Sequence, residues 1–158
     1  VCALNGTAMG GGFELALACD IRVAQDGPFS LGLPEVNIGL LPGAGGTQRL
    51  TRLIGAAAAM SFMLLGRVVS PQDAAAMGLV HSCVPDARAE GLAIAEALAA
   101  KAPQAVTHIK RLVHAAGQGT LAERLADERT LFCDLMVSDE AIGLMTAMNR
   151  GERDIRDP

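Results

Sequence analysis

The sequence lacks several features that would assign it to common classes of protein. It has no tryptophan or tyrosine, and aromatic residues make up 3% of the chain, so a core must be built mainly from aliphatic side chains and methionine. No apolar run reaches the roughly 18 residues that a membrane span requires. The formal net charge of −4 argues against a general nucleic-acid binder. We therefore predict neither a nucleic-acid partner nor a membrane partner.

Motifs of several common catalytic and metal sites are missing as well. No GxSxG elbow is present, and the spacing of the histidines fits no zinc site. The glycines at 43, 45 and 46 resemble a phosphate loop, but the GK[ST] ending is absent. The cysteines at 2, 19, 83 and 133 show no CxxC spacing and are interpreted as buried free thiols, which suits the cytoplasm. We predict no metal site.

The composition is that of a globular domain. The chain has 158 residues, of which 51% are hydrophobic and 19% are charged. The pattern of the residues before 86 predicts strands over 1–5, 20–24, 29–31 and 79–84. It also predicts helices over 13–19, 46–54, 56–65 and 70–78, and a loop over 33–35. Four further helices, each expected to bury one apolar face, are predicted over 86–100, 103–116, 120–136 and 138–149. No linker separates these parts, so we predict one folding unit.

The stretch Gly10-Gly11-Gly12 lies between a strand-like run and an apolar, Ala-rich helix. Glycine has no Cβ, so a substrate can approach the backbone closely there. The N–H groups at a helix start suit an oxygen that is becoming anionic. Glu14 follows in the first turn, which puts an oxyanion donor beside a candidate acid or base. The alternative is a tight turn that requires positive φ, with Glu14 as an ordinary first-turn carboxylate.

Glu35, which follows a Leu-Pro turn, is the second candidate carboxylate. Two carboxylates can divide acid and base roles when their surroundings differ. The helix start favours the charged form of Glu14, whereas the apolar neighbours of Glu35 are expected to desolvate it. The arginines at 49, 52 and 67 are spread along the chain and are interpreted as a solvated face.

These motifs, taken together and in order, resemble the crotonase superfamily, and most closely enoyl-CoA hydratase. The resemblance rests on Asn5-Gly6, Gly10 to Ala16, Cys19-Asp20-Ile21-Arg22, Pro34-Glu35, Ile38-Gly39, residues 42–50 and residues 74–80. It implies an α/β fold, with a ββα spiral core over 1–85 and a helical trimerisation region over 86–158. Trimers of this family often pair into hexamers. It further implies an acyl-CoA thioester as substrate and no cofactor, since CoA is part of the substrate.

The resemblance also implies roles for single residues. Gly11 supplies one of two backbone N–H groups that hold the thioester oxygen and stabilise an enolate, and Gly10 belongs to the same substrate-binding segment. Glu14 acts as the base on water, and Glu35 exchanges the proton at the α-carbon. The presence of both glutamates favours a hydratase over an enoyl-CoA isomerase. Basic residues of the tail, Arg150, Arg153 and Arg156, either reach CoA phosphates or form a solvated tail.

The family domain is longer at its N-terminus, and this chain begins at Val1 in a strand-like run. The resemblance therefore implies that these residues are its C-terminal portion and that the second oxyanion donor lies outside them. We expect exposed strand edges and apolar faces in the isolated chain. Two hypotheses remain: a fragment of a complete hydratase, or a truncated module that binds acyl-CoA or mediates assembly without catalysis.

Overall fold

The computed structural model describes residues 1–156, and the chain divides into two compact units. The first unit is Val1–Ala95, and the second begins at Glu96. The sequence-based division at residue 85 within one folding unit stays a prediction.

Two small sheets form the framework of the first unit. The first sheet contains three parallel strands, in the order β1 (Cys2–Leu4), β3 (Arg22–Gln25) and β6 (Ser82–Val84). The second contains β2 (Ala8–Met9), β4 (Leu31–Gly32) and β5 (Val68–Val69), with β2 parallel and β5 antiparallel to β4. Strand β3 is paired on both sides, and Val23 and Ala24 are accordingly fully buried.

The helices of the first unit pack around these sheets. They are α1 (Gly11–Leu17), a 3₁₀ helix (Glu35–Ile38), α2 (Gly46–Ile54), α3 (Ala56–Leu64) and α4 (Pro71–Ala76). Helix α5 (Ala87–Ala99) begins in this unit and extends past its last residue, Ala95. Phe13 and Phe62 expose 0% and 1% of their surface and lie in one core cluster with Leu31, Leu33 and Leu50. Burial of each such side chain is worth about 1.5–3 kcal/mol, so these two phenylalanines contribute strongly to the stability of the core.

A buried arginine connects the end of α1 to the first sheet. The Arg22 side chain donates from Nε to the Leu79 carbonyl at 2.8 Å and from Nη1 to the Cys19 carbonyl at 2.6 Å. Its backbone N–H donates to His81 Nδ1 at 3.1 Å, which gives His81 a structural role. Burial lowers the pKa of the Arg22 guanidinium. The Cys-Asp-Ile-Arg motif thus stabilises the packing of α1 rather than supplying a reactive group.

The second unit contains α6 (Pro103–Ala115), α7 (Leu121–Met136) and α8 (Asp139–Asn149). Helix α7 begins with a capping box, in which the Thr120 hydroxyl accepts from the Glu123 N–H and the Glu123 carboxylate accepts from the Thr120 N–H. The expectation of one buried face per helix is wrong: in these three helices, Leu131 alone is buried. Large apolar side chains are instead exposed, including Ile109, Val113, Leu121, Leu125 and Phe132.

Several other sequence-based expectations differ from the structure. Glu35 begins the 3₁₀ helix instead of lying in a loop, and the strand predicted at 29–31 is found at Leu31–Gly32. Leu15 is 69% exposed, although α1 is formed by the apolar, Ala-rich segment that follows the glycine triplet. The four cysteines are free, as predicted, but none is buried. Strands β2 and β5 were not predicted, because two-residue strands are too short to show an alternating pattern. In the described part of the chain, no helix is long and apolar enough to cross a membrane.

Candidate functional site

The glycine triplet forms a turn that leads directly into α1. Gly10 has φ +55°, which favours glycine, and its N–H donates to the Gly32 carbonyl at 3.0 Å. Gly11 is the first residue of the helix, and its N–H has no intrahelical acceptor. A methyl group at Gly11 or Gly12 would meet no atom within 4 Å. The Gly11 N–H thus lacks an intrahelical acceptor, and the space beside its Cα is open.

Glu14 is buried, with 3% of its surface exposed, although it carries a carboxylate. Its Oε1 atom accepts two hydrogen bonds, from the N–H groups of Ala44 and Gly46, each at 2.8 Å. No described residue donates to Oε2. Two backbone donors on one oxygen hold the side chain in one orientation and stabilise its charge. Glu14 is therefore a fixed carboxylate with one oxygen left for a further partner.

The second glycine-rich stretch explains this arrangement. Gly45 adopts a left-handed conformation at φ +97° and precedes α2, so the N–H groups on either side of it converge. Successive N–H groups in such a turn form an anion-binding concavity. The interpretation that this stretch is not a phosphate loop is consistent with the geometry, because the anion that the turn binds is the carboxylate of Glu14. The sequence reasoning missed this pairing, although two glycine-rich turns and one acidic residue were its visible signals.

Gly46 has room for no side chain, which allows a first prediction. A methyl group there would lie 2.9 Å from Glu14 Oε1, 2.8 Å from Pro42 Cβ and 3.0 Å from Leu33 Cδ1. We expect Gly46→Ala to lower the free energy of unfolding of the full-length protein by about 1–3 kcal/mol, because the buried neighbours must shift. Thermal unfolding followed by circular dichroism measures this loss.

Gly43→Ala is the matched control in the same loop. A methyl group at Gly43 would meet one atom within 4 Å, the Leu41 carbonyl oxygen at 3.9 Å, and its φ is not positive. We expect a midpoint close to that of the unmodified protein. Equal midpoints for Gly46→Ala and Gly43→Ala would contradict the close packing described at Gly46.

Glu35 has the more unusual environment of the two carboxylates. Both of its side-chain oxygens are buried, and neither has a hydrogen-bond partner among the described residues. A methyl group at Gly10 would lie 3.4 Å from Glu35 Oε1, so the carboxylate is packed beside the glycine turn. Leu33 is fully buried, but Val36 and Ile38 are 41% and 75% exposed, so only part of the apolar sequence around Glu35 covers it. Buried carboxylates without partners are costly, which makes this residue a functional candidate.

The structure brings all four predicted site residues to the N-terminal end of α1. Gly10 and Gly11 form the turn, Glu14 lies in the first turn of the helix, and the carboxylate of Glu35 lies beside Gly10. A backbone donor and two differently held carboxylates therefore share one region. Among residues 1–156, no group of three or more potential ligands could hold a metal ion.

The basic residues of the tail lie in the second unit. Arg156 forms a bidentate pair with Asp154, with Nε–Oδ1 and Nη2–Oδ2 distances of 2.8 and 2.7 Å. These hydrogen bonds lower the pKa of Asp154 to about 2 and raise that of Arg156. Arg153 lines a cavity of about 320 Å³ with Lys101 and Met148. Contact with CoA phosphates stays a prediction for this tail.

A sequence model of the family described as enoyl-CoA hydratase/isomerase matches residues 1–152. The chain belongs to this family. A probable enoyl-CoA hydratase of Mycobacterium leprae is 41% identical over 142 residues, which are 89% of this chain and 55% of that relative. The alpha subunit of a fatty acid oxidation complex from Shewanella baltica is 49% identical over 122 residues, 76% of this chain and 17% of that relative.

Solved structures of the family have the same architecture. The crystal structure of an enoyl-CoA hydratase from Bacillus anthracis superposes with a TM-score of 0.88 at 38% identity, over 94% of this chain and 58% of that one. The predicted crotonase-like α/β fold is thus confirmed. The chain spans less than two thirds of the length of each of these relatives.

Proposed function

We propose that the protein carrying this chain catalyses the reversible hydration of a 2-trans-enoyl-CoA to a 3-hydroxyacyl-CoA. The observation that carries the proposal is the presence of two differently held carboxylates, Glu14 and Glu35, at a glycine turn whose Gly11 N–H has no intrahelical acceptor. Membership of the enoyl-CoA hydratase/isomerase family supports the reaction class.

In this proposal, Glu14 acts on water. Its Oε1 is occupied by the Ala44 and Gly46 N–H groups, so Oε2 orients a water molecule and takes its proton. The water oxygen then bonds to the β-carbon, and the π electrons of the double bond move toward the thioester oxygen. General base assistance of this kind contributes about 10²–10⁴-fold to a rate.

The resulting enolate is stabilised by a hydrogen bond from the Gly11 N–H to its oxygen. Addition of a proton at the α-carbon then gives the 3-hydroxyacyl-CoA. One preorganised donor to such an oxygen is worth about 2.7–4 kcal/mol. Glu35 delivers the α-proton, and its lack of any protein hydrogen bond suits a carboxyl that exchanges protons with substrate. No cofactor enters this scheme, since CoA is part of the substrate.

We also propose a homotrimer or hexamer, which the exposed apolar side chains of α6, α7 and α8 support.

The test is an assay of the full-length protein with crotonyl-CoA in water enriched in oxygen-18. We expect mass spectrometry to show a 3-hydroxyacyl-CoA that carries oxygen-18 in the hydroxyl group on its β-carbon. Turnover of a 3-enoyl-CoA without hydration of the 2-enoyl-CoA would favour the isomerase of the same family. Binding of acyl-CoA without either turnover would favour the non-catalytic module.

A further inference from the structure

Arg49, interpreted from the sequence as part of a solvated face, contacts the loop that holds Glu14. Its Nη1 donates to the Ala44 carbonyl oxygen at 2.7 Å. The guanidinium also lies against Gly45, because a methyl group there would overlap Nη1 and would lie 3.1 Å from Cζ. Helix α2 holds Arg49 at this position, since its backbone N–H donates to the Gly45 carbonyl at 2.9 Å.

Ala44 is held by side chains on both of its polar groups. Its N–H donates to Glu14 Oε1, and its carbonyl accepts from Arg49. The described residues give Ala44 no other hydrogen bond, and it is exposed to solvent. The orientation of this residue, and with it one of the two donors to Glu14, therefore depends on Arg49.

We propose that Arg49 is a positioning residue for catalysis, which acts through Ala44 to hold Glu14 Oε1 and so direct Oε2 at the reacting water. This inference rests on the proposed role of Glu14. A guanidinium suits the task because it is planar, always charged and covers Gly45 while donating to the adjacent carbonyl. The ammonium of a lysine is a compact charge on a flexible stem and would cover Gly45 less well.

The first test measures kcat and KM for crotonyl-CoA in the full-length protein. We expect Arg49→Ala to lower kcat about tenfold, as the loss of a charged hydrogen bond implies, with KM changed less than twofold. Arg49→Lys should retain part of the lost activity. Millimolar guanidinium ion should raise kcat of Arg49→Ala, because it can occupy the vacated position. Arg52→Ala, at an exposed residue of the same helix, is the matched control and should keep the kcat of the unmodified protein.

The second test is a double-mutant cycle with Glu14→Gln. If Arg49 acts through Glu14, adding Arg49→Ala to Glu14→Gln should lower kcat by less than twofold more. Losses that multiply in the double variant, or an unchanged kcat in Arg49→Ala while Glu14→Gln is impaired, would overturn the inference and leave the proposed function intact. A Glu14→Gln variant with full turnover would instead overturn the proposed function and this inference together. If circular dichroism shows that Arg49→Ala does not fold, Arg49→Lys takes its place in the cycle.

Discussion

Replacing Glu35 with glutamine in the full-length protein should lower kcat for hydration of crotonyl-CoA by about two to four orders of magnitude. The amide has nearly the same shape as the carboxyl but cannot give or take the proton at the α-carbon. Since neither oxygen of Glu35 has a hydrogen-bond partner in the described chain, the substitution removes no protein hydrogen bond. We therefore expect little change in the free energy of unfolding, so that the loss of rate reports on the chemistry.

The measurement is steady-state turnover together with thermal unfolding of the same samples. Glu90→Gln is the matched control, because Glu90 is exposed on α5 and lies outside the proposed site. A second readout is the rate at which the α-proton of the substrate exchanges with deuterated water. Glu35→Gln should lower this rate by the same factor as it lowers hydration. Turnover of Glu35→Gln at the rate of the unmodified protein would refute the assignment of this residue.

Glu14→Gln should have a comparable effect on hydration, about 10²–10⁴-fold in kcat, for a different reason. The amide oxygen of glutamine can still accept from the Ala44 and Gly46 N–H groups, so the loop 42–46 should keep its conformation. What is lost is the proposed base for removal of a proton from water. The variant should therefore fold and bind acyl-CoA with its hydratase activity strongly reduced.

An assay of double-bond isomerisation should distinguish the proposed roles of the two glutamates. Moving a double bond from the 3- to the 2-position needs proton transfer at carbon but no water, so Glu14→Gln should spare any isomerase activity while Glu35→Gln removes it. The same preparations are assayed with a 3-enoyl-CoA and with crotonyl-CoA. Equal losses of both activities in Glu14→Gln would contradict this division of roles.

Much of the local structure could be predicted from patterns near in sequence. The helix predicted over 46–54 is found at Gly46–Ile54, and the side chains of Ser70 and Thr120, which precede α4 and α7, accept the hydrogen bonds of N-caps. These features depend on a few neighbouring residues, because a cap satisfies N–H groups two or three positions along the chain. The apolar stripes of α6, α7 and α8 were interpreted as buried faces, but these side chains are largely exposed, because burial requires a surface that packs against them.

The functional contacts were less accessible because they join residues that are far apart in the chain. Glu14 and the 44–46 loop are about 30 positions apart, with sequence separations of 30 and 32 for the two hydrogen bonds. Arg49 gave no signal of its own, since an isolated arginine on a helix is most often solvated. Its significance comes from the carbonyl it contacts and from the absence of a side chain at Gly45.

By itself, the sequence of this chain determined the family, the α/β class, most helix boundaries and the four candidate site residues, because each of these follows from ordered motifs or from local patterns. The tertiary structure alone decided what holds each carboxylate: two backbone N–H groups for Glu14, and burial beside Gly10 without a protein partner for Glu35. The physical reason is that a side chain's hydrogen bonds and solvent access are set by the segments that the fold packs against it. Spacing along the chain carries no direct information about those segments.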